Sequence, residues 1–270
     1  MRSIGDTTSH IFITRIIIAT GGLIALALRW YFVTHAQVLQ PLDNPNVRAD
    51  AADYYRYAWN LLHHATFAVD LPGATVLHPS SFRDPGYALF LAAWMSVTSS
   101  YADWYAAVIL SQAVLGATTV VLTRLALRGT VSNAVLACAA ALMTCWPHTV
   151  AAPAYVLTET FFGFLCSSAI LALRRATSDK RHSSSLLAGV ALGTAALTNA
   201  ILIPFGPLVA GALFLRGILP GRAALLLAMA SLMLPGAWGL RSTITPVTST
   251  SIHRAAMNLV QGSWPTYHDA

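Results

Sequence analysis

Residues 181–216, RHSSSLLAGVALGTAALTNAILIPFGPLVAGALFLR, decide the architecture of this chain. Between its two terminal arginines the run carries no charged side chain. A bilayer core takes about 20 apolar residues per helix, so the run is too long for one span and just long enough for two short ones. Asn199, Pro204 and Pro207 supply a break near its middle. Two spans joined by a break return the chain to the side it left, which puts both basic ends on one face of a membrane.

Working outward, further apolar runs occupy residues 11–33, 104–123, 131–149, 156–173 and 223–240, and the central run divides into 183–199 and 200–215. Lys and Arg concentrate on the cytoplasmic side of membrane proteins. With Arg124/Arg128, Arg174/Arg175/Lys180/Arg181 and Arg216/Arg222 inside, the chain alternates consistently through seven spans, from an inside N-terminus to Arg241 outside. Arg15 and Arg29 lie near enough to the ends of the first span to snorkel. Residues 86–98 are too short to cross and read as an interfacial or re-entrant helix. The fold class expected is an all-α, multi-pass transmembrane helix bundle. It comprises a membrane module over 1–240, with a first extracytoplasmic loop at 34–103 carrying interfacial helices, and an extracytoplasmic tail over 241–270.

Composition agrees. A hydrophobic fraction of 56% against 10% charged is far from the roughly 25% charged of soluble domains, and excludes both a soluble exterior and intrinsic disorder. The net charge of +6 divides into +8 inside and −2 outside, so it reports topology and does not imply a nucleic-acid partner. No small-residue cleavage site follows the first apolar run, which therefore reads as retained. Cys138, Cys145 and Cys166 lie in apolar stretches without CxxC spacing and read as buried thiols.

The polar residues gather on the outer side. Residues 34–85 hold half of all the acids. There, DAADYYRYAWNLL from Asp50 places apolar or aromatic residues at 54, 57, 58, 61 and 62, a pattern suiting an amphipathic helix on the membrane surface. Asp50 opens that helix either as an N-cap or as a carboxylate able to take a proton from a hydroxyl. Asp53 faces water or pairs with Arg56. In SSFRDPGYALFLA from Ser80, Arg83 and Asp84 precede Pro85 at a helix start, where the arginine binds a phosphate, a lipid headgroup or Asp84. Glu159, the only glutamate, begins a span on the same side, where an acid is favoured by the helix dipole yet is also a functional candidate. Arg241 emerges there from the last span. His63, His64, His78 and His148 share that side without metal-ligand spacing, and no glycine-rich phosphate loop is present.

In order, DAADYYRYAWNLL, SSFRDPGYALFLA, TETFF, ALTNA, WGLRS and NLVQGSWP resemble the bacterial polyprenyl-phosphate-sugar-dependent glycosyltransferases, the protein O-mannosyltransferase and aminoarabinose transferase group with the GT-C fold. The resemblance covers nearly all of residues 10–265. It implies a multi-pass transferase of the bacterial inner membrane with a periplasmic active site. Its donor would be a polyprenyl-phosphate sugar, and its acceptor a hydroxyl on a lipid, glycan or protein. The family's first-loop Asp corresponds to Asp50, its Arg-x-Pro-x-Tyr element to Arg83, Pro85 and Tyr87, its Thr-Glu element to Thr158 and Glu159, and its later Arg to Arg241.

The implied roles make Asp50 the base of an inverting displacement, with Glu159 beside it in the catalytic set. Arg83, Arg241 and Tyr87 would hold the donor phosphate, and Asp53, Tyr54, Asp84, His78 and Asn199 the substrates. No cofactor is required; a divalent cation, if used, would be held by Asp50 and Glu159. Two departures stand out. Asn199 replaces the family's Arg or Lys, and relatives generally continue with further spans, so the chain reads as the conserved membrane module without a C-terminal remainder. The other readings are a non-catalytic transporter or lipid-handling scaffold, disfavoured by the lack of internal repeats, and an inactive truncated homologue.

Overall fold

A computed structural model describes residues 4–36, 39–47 and 49–263, without the side chains of 4–17, 252, 255 and 261. The charges of Arg2, Asp6, Arg15, Arg48 and Asp269, and the Trp-Pro of the tail motif, lie outside the described residues and side chains. The described chain is all-helical, and its only β-type pairings are three isolated bridges.

Its helices are α1 (Ile4–Ala36), α2 (Asp50–His64), α3 (Pro85–Met95), α4 (Tyr101–Leu127), α5 (Asn133–Cys145), α6 (Pro147–Ala151), α7 (Thr158–Asp179), α8 (His182–Thr198), α9 (Phe205–Leu215), α10 (Gly221–Ile244) and α11 (Ser251–Ser263). Among the described residues, α4 and α10 are each long and apolar enough to cross a membrane. At 27 and 24 residues they extend about 40 and 36 Å. The stretch from α5 through Ala154 becomes a third such element if its 53° bend is taken as a break within one span.

The long helices pack in a row, α1 on α4, α4 on α7, α7 on α8, α8 on α10 and α10 on α9, with α2 and α3 paired and α3 set against α4 and α8. Small residues bring the row close. A Cβ on Gly189 would lie 2.5 Å from the Leu227 carbonyl oxygen, and one on Gly193 2.9 Å from that of Ser231, so α8 and α10 meet backbone to backbone. The opposite face of α10 leaves Leu225, Met229, Met233 and Leu240 exposed, an apolar stripe that a water-soluble exterior does not carry.

The central run breaks where its sequence implies. Helix α8 ends at Thr198, Asn199 caps a 3-10 turn over Ala200–Leu202, and α9 starts after Pro204. The short run at 86–98 becomes α3, an 11-residue helix with Pro85 in its first turn.

Three expectations change. Arg29 does not snorkel: it is 2% exposed, and its guanidinium donates to the carbonyls of Ala25 (3.0 Å), Met143 (2.8 Å) and Thr144 (3.4 Å). It thereby satisfies carbonyls that the end of α5 leaves free at the bend. Helix α2 does not lay its apolar side on lipid, because Tyr54, Tyr57 and Ala58 are buried in protein. Cys138 and Cys145 are exposed and Cys166 is half-buried, since these stretches turn outward where a soluble core would turn inward.

Candidate functional site

Where α7 starts and α8 ends, a cavity of about 620 Å³ is lined by Asp50, Tyr54, Arg83, Asp84, Thr158, Thr198, Asn199, Ala200, Ile201, Ser251, Arg254 and Asn258. The helix starts explain its character. Asp50 is the first residue of α2, Asp84 caps α3, Thr158 opens α7 and Ser251 opens α11. Four α-helices thus start at one space, where their N-terminal dipoles favour anions, while α8 ends there at Thr198.

Asp50 is not an N-cap. That position belongs to Ala49, and the Asp50 carboxylate turns instead to Arg83. The Arg83 Nη2 donates to Asp50 Oδ1, its Nη1 to Asp50 Oδ2 at 3.3 Å, and Nη2 also to Asp53 Oδ2 at 3.2 Å. Asp53 in turn lies 4.0 Å from Arg56, so it is held between two guanidiniums and does not face water alone. The Asp50 side chain is 62% exposed and that of Arg83 14%, which places the carboxylate at the open side and the cation in the wall. Arg83 lies over the Tyr54 ring at 5.4 Å, and its buried Nε has no hydrogen-bond partner, leaving one donor unspent. Burial pushes the Tyr54 phenol up to about 12, so it remains an O–H.

Arg83 and Asp84 do not pair with each other. The Asp84 Oδ2 accepts from Arg254 Nη2 at 2.6 Å and from the Ala200 backbone N–H at 3.2 Å. Arg254 arrives because the segment after α10 pairs with the first loop. Ser81 N–H donates to Ser249 O (2.8 Å), Thr248 N–H to Pro79 O (2.9 Å), and the Ser80 and Ser249 hydroxyls bond at 2.8 Å. The sequence reading missed Arg254 and Asn258. They are one helical turn apart in 251–263, on the side away from Leu259 and Val260, and that spacing was the available signal.

The other candidates stand apart from this cavity. Arg241 donates to Ser81 Oγ at 3.1 Å and lies 4.6 Å from the Trp238 ring, so it supports the loop that carries Arg83. Tyr87 is fully buried and donates to Gln112 Oε1 at 3.0 Å, while Gln112 Nε2 donates to the Pro153 and Tyr155 carbonyls. It meets Tyr54 edge-on at 5.2 Å, beneath the cavity floor. His78 is tied to Asp70 through both its backbone N–H (2.7 Å) and its ring Nδ1 (2.9 Å), closing a surface loop.

Glu159 lines a separate space of about 190 Å³ with Arg29 and His148. Asp50 and Glu159 therefore do not face one cavity, and they do not form a pair that could hold a divalent cation. Among the described residues no group of three His, Cys, Asp or Glu side chains is placed to ligate a metal. No protein-family model matches the chain, and no curated protein matches it.

Proposed function

We propose that the chain is a membrane glycosyltransferase module that moves a sugar from a polyprenyl-phosphate donor to an acceptor hydroxyl. In this reading it crosses the bacterial inner membrane seven times, with its N-terminus cytoplasmic and the Asp50 cavity periplasmic. The observation that carries the reading is the meeting of four helix N-termini with Arg83 and Arg254 around a single open carboxylate. That combination suits a phosphate beside a proton acceptor.

The acceptor oxygen attacks the anomeric carbon as the bond from that carbon to the phosphate oxygen breaks. Its proton passes to Asp50, and the electron pair leaves with the phosphate. Arg83, Arg254 and the helix ends stabilise that growing charge, and Tyr54, held as a phenol, donates a hydrogen bond. Both arginines already carry a carboxylate partner. A bound phosphate competes with Asp50 for Arg83, so the base is released when the donor is in place. Arg254 also answers the departure at position 199, because it brings to the cavity wall the cation that Asn199 lacks.

The test is release of polyprenyl phosphate from a polyprenyl-phosphate hexose by membranes holding the full chain. Asp50→Asn is expected to lower the rate by at least about 10²-fold, the lower end of general-base contributions, with membrane insertion unchanged. Full activity in that variant removes the proposed base.

A further inference from the structure

A second cavity, of about 410 Å³, opens between α2 and the start of α4, and its chemistry is the opposite of the first. Tyr55, Trp59 and His63 follow one another at four-residue intervals along α2 and all line it, while Asp50 and Tyr54 belong to the other side of the same helix. Trp59 is nine residues from Asp50, a rise of about 13 Å. A small molecule held here does not reach the first cavity's carboxylate.

No Lys or Arg lines this space, and the one helix start at its edge, that of α4, is capped by Ser100 and carries Asp103 in its first turn, which offsets its pull on a phosphate. Its aromatic side is built from Tyr55, Trp59, Tyr101 and Trp104, with ring centroids 5.1 to 6.2 Å apart. Trp59 and Tyr101 are half-buried; the His63 ring stacks on one face of Trp59 at 3.9 Å, which leaves the rest of the indole and the Tyr101 ring as the aromatic surface toward the cavity. Its polar edge is short of donors. The exposed Asp43 carboxylate has no hydrogen-bond partner among the described residues. The His63 Nδ1 lies 3.0 Å from the Trp59 carbonyl, which fixes the proton on that nitrogen and leaves Nε2 of the neutral ring as an acceptor. The Ser99 hydroxyl stands beside them, exposed.

Aromatic surface, two acceptors, the exposed Ser99 hydroxyl beside Thr98, Ser100 and Tyr101 hydroxyls that already donate within the protein, and no cation describe a ligand with an apolar face and several O–H groups. We infer that this cavity binds a pyranose unit of a neutral oligosaccharide, its C–H face against Trp59 and Tyr101 and its hydroxyls donating to Asp43 and His63. The volume falls in the lower part of the roughly 300–1,000 Å³ typical of small-molecule sites. The inference stands on this cavity alone and not on the transfer reaction. Where both hold, the site retains the glycan beyond its reacting end.

Saturation-transfer NMR on the full chain in a non-glycosidic detergent tests it, with maltose, cellobiose and diacetylchitobiose as probes. At least one disaccharide is expected to receive saturation on its ring protons, falling at least roughly fivefold in Trp59→Ala. The exposed-site variant Asp43→Asn is expected to lose as much, which keeps the test independent of any folding defect in the tryptophan variant. Arg83→Ala is expected to bind as the parent does, which separates this site from the transfer centre. Absence of saturation with all three sugars, signal in both cavity variants undiminished from the parent, or phosphocholine binding in place of the sugars would each overturn the proposal.

Discussion

Asp84 spends its carboxylate on two distant parts of the chain, the Ala200 amide and the Arg254 guanidinium, and its side chain is only 8% exposed. Removing either partner leaves a largely dehydrated charge. Arg254→Ala is therefore expected to cost on the order of 2 kcal/mol, as hydrogen bonds to charged groups do, and to weaken donor binding, with Arg254→Lys recovering part of both. Thermal midpoints beside a donor titration measure this, and an Arg254→Ala protein that binds donor normally removes Arg254 from the phosphate site. Tyr54 carries a pH signature. Its phenol ionises near 12 in the fold against an ordinary 10, so its contribution is complete below pH 10 and declines as pH rises through 12. Tyr54→Phe is expected to shallow the alkaline loss of helical circular dichroism over that interval; an unchanged slope would show that the ring is not buried. At this scale the sequence identified Asp50, Arg83, Asp84 and Asn199 but not their partners. A cap and an ion pair use the same carboxylate, and only three-dimensional proximity to Arg83 decides between them.

Two contacts between helices govern the geometry of the Asp50 cavity, one at its Thr198 wall and one beneath it. A Cβ on Gly86 would stand 2.4 Å from Thr198 Oγ1 and 2.9 Å from the Leu197 carbonyl carbon, so the start of α3 rests directly on the end of α8. Gly86→Val is expected to drive them apart, at a cost of about 1–3 kcal/mol for overpacking. Transfer should fall while Asp50 and Arg83 remain, and a variant with unchanged activity and melting would mean that the contact is slack. Gln112 joins α4 to α3 and to residues 153–155 through three hydrogen bonds. Gln112→Leu strands the Tyr87 hydroxyl and two carbonyls, and is expected to lower stability by about 1–3 kcal/mol, read as a lower thermal midpoint. Helix positions were legible because the apolar runs and prolines mark them. The buried course of Arg29 was not, because a cation near a span end has the same sequence signature whether it reaches for water or for the carbonyls of a neighbouring helix.

Across the whole molecule, the seven-span reading makes a statement about sides. In a protein with Cys138, Cys145 and Cys166 changed to Ser, a cysteine at Val76 is expected to react with a membrane-impermeant maleimide from the periplasm, and one at Ser183 only after the membrane is opened. Both positions are exposed, so equal labelling of the two from one side would break the alternation. The apolar length of the helices in the row α1, α4, α7, α8, α10 and α9 was legible, but their order was not, because Gly189 and Gly193 permit a close approach without naming the helix that makes it. The return of the chain after α10 was hidden, because pairing between 79–81 and 248–250 depends on backbone groups that any residue supplies. That return has a consequence for the order of synthesis. Asp50 and Arg83 both precede α3, whereas Arg254 lies 170 residues beyond Asp84, after α10. A nascent chain therefore holds the Asp50–Arg83 pair early and gains Arg254 only after helices α1 to α10 have been made, so that wall of the cavity is completed after the helices it rests on.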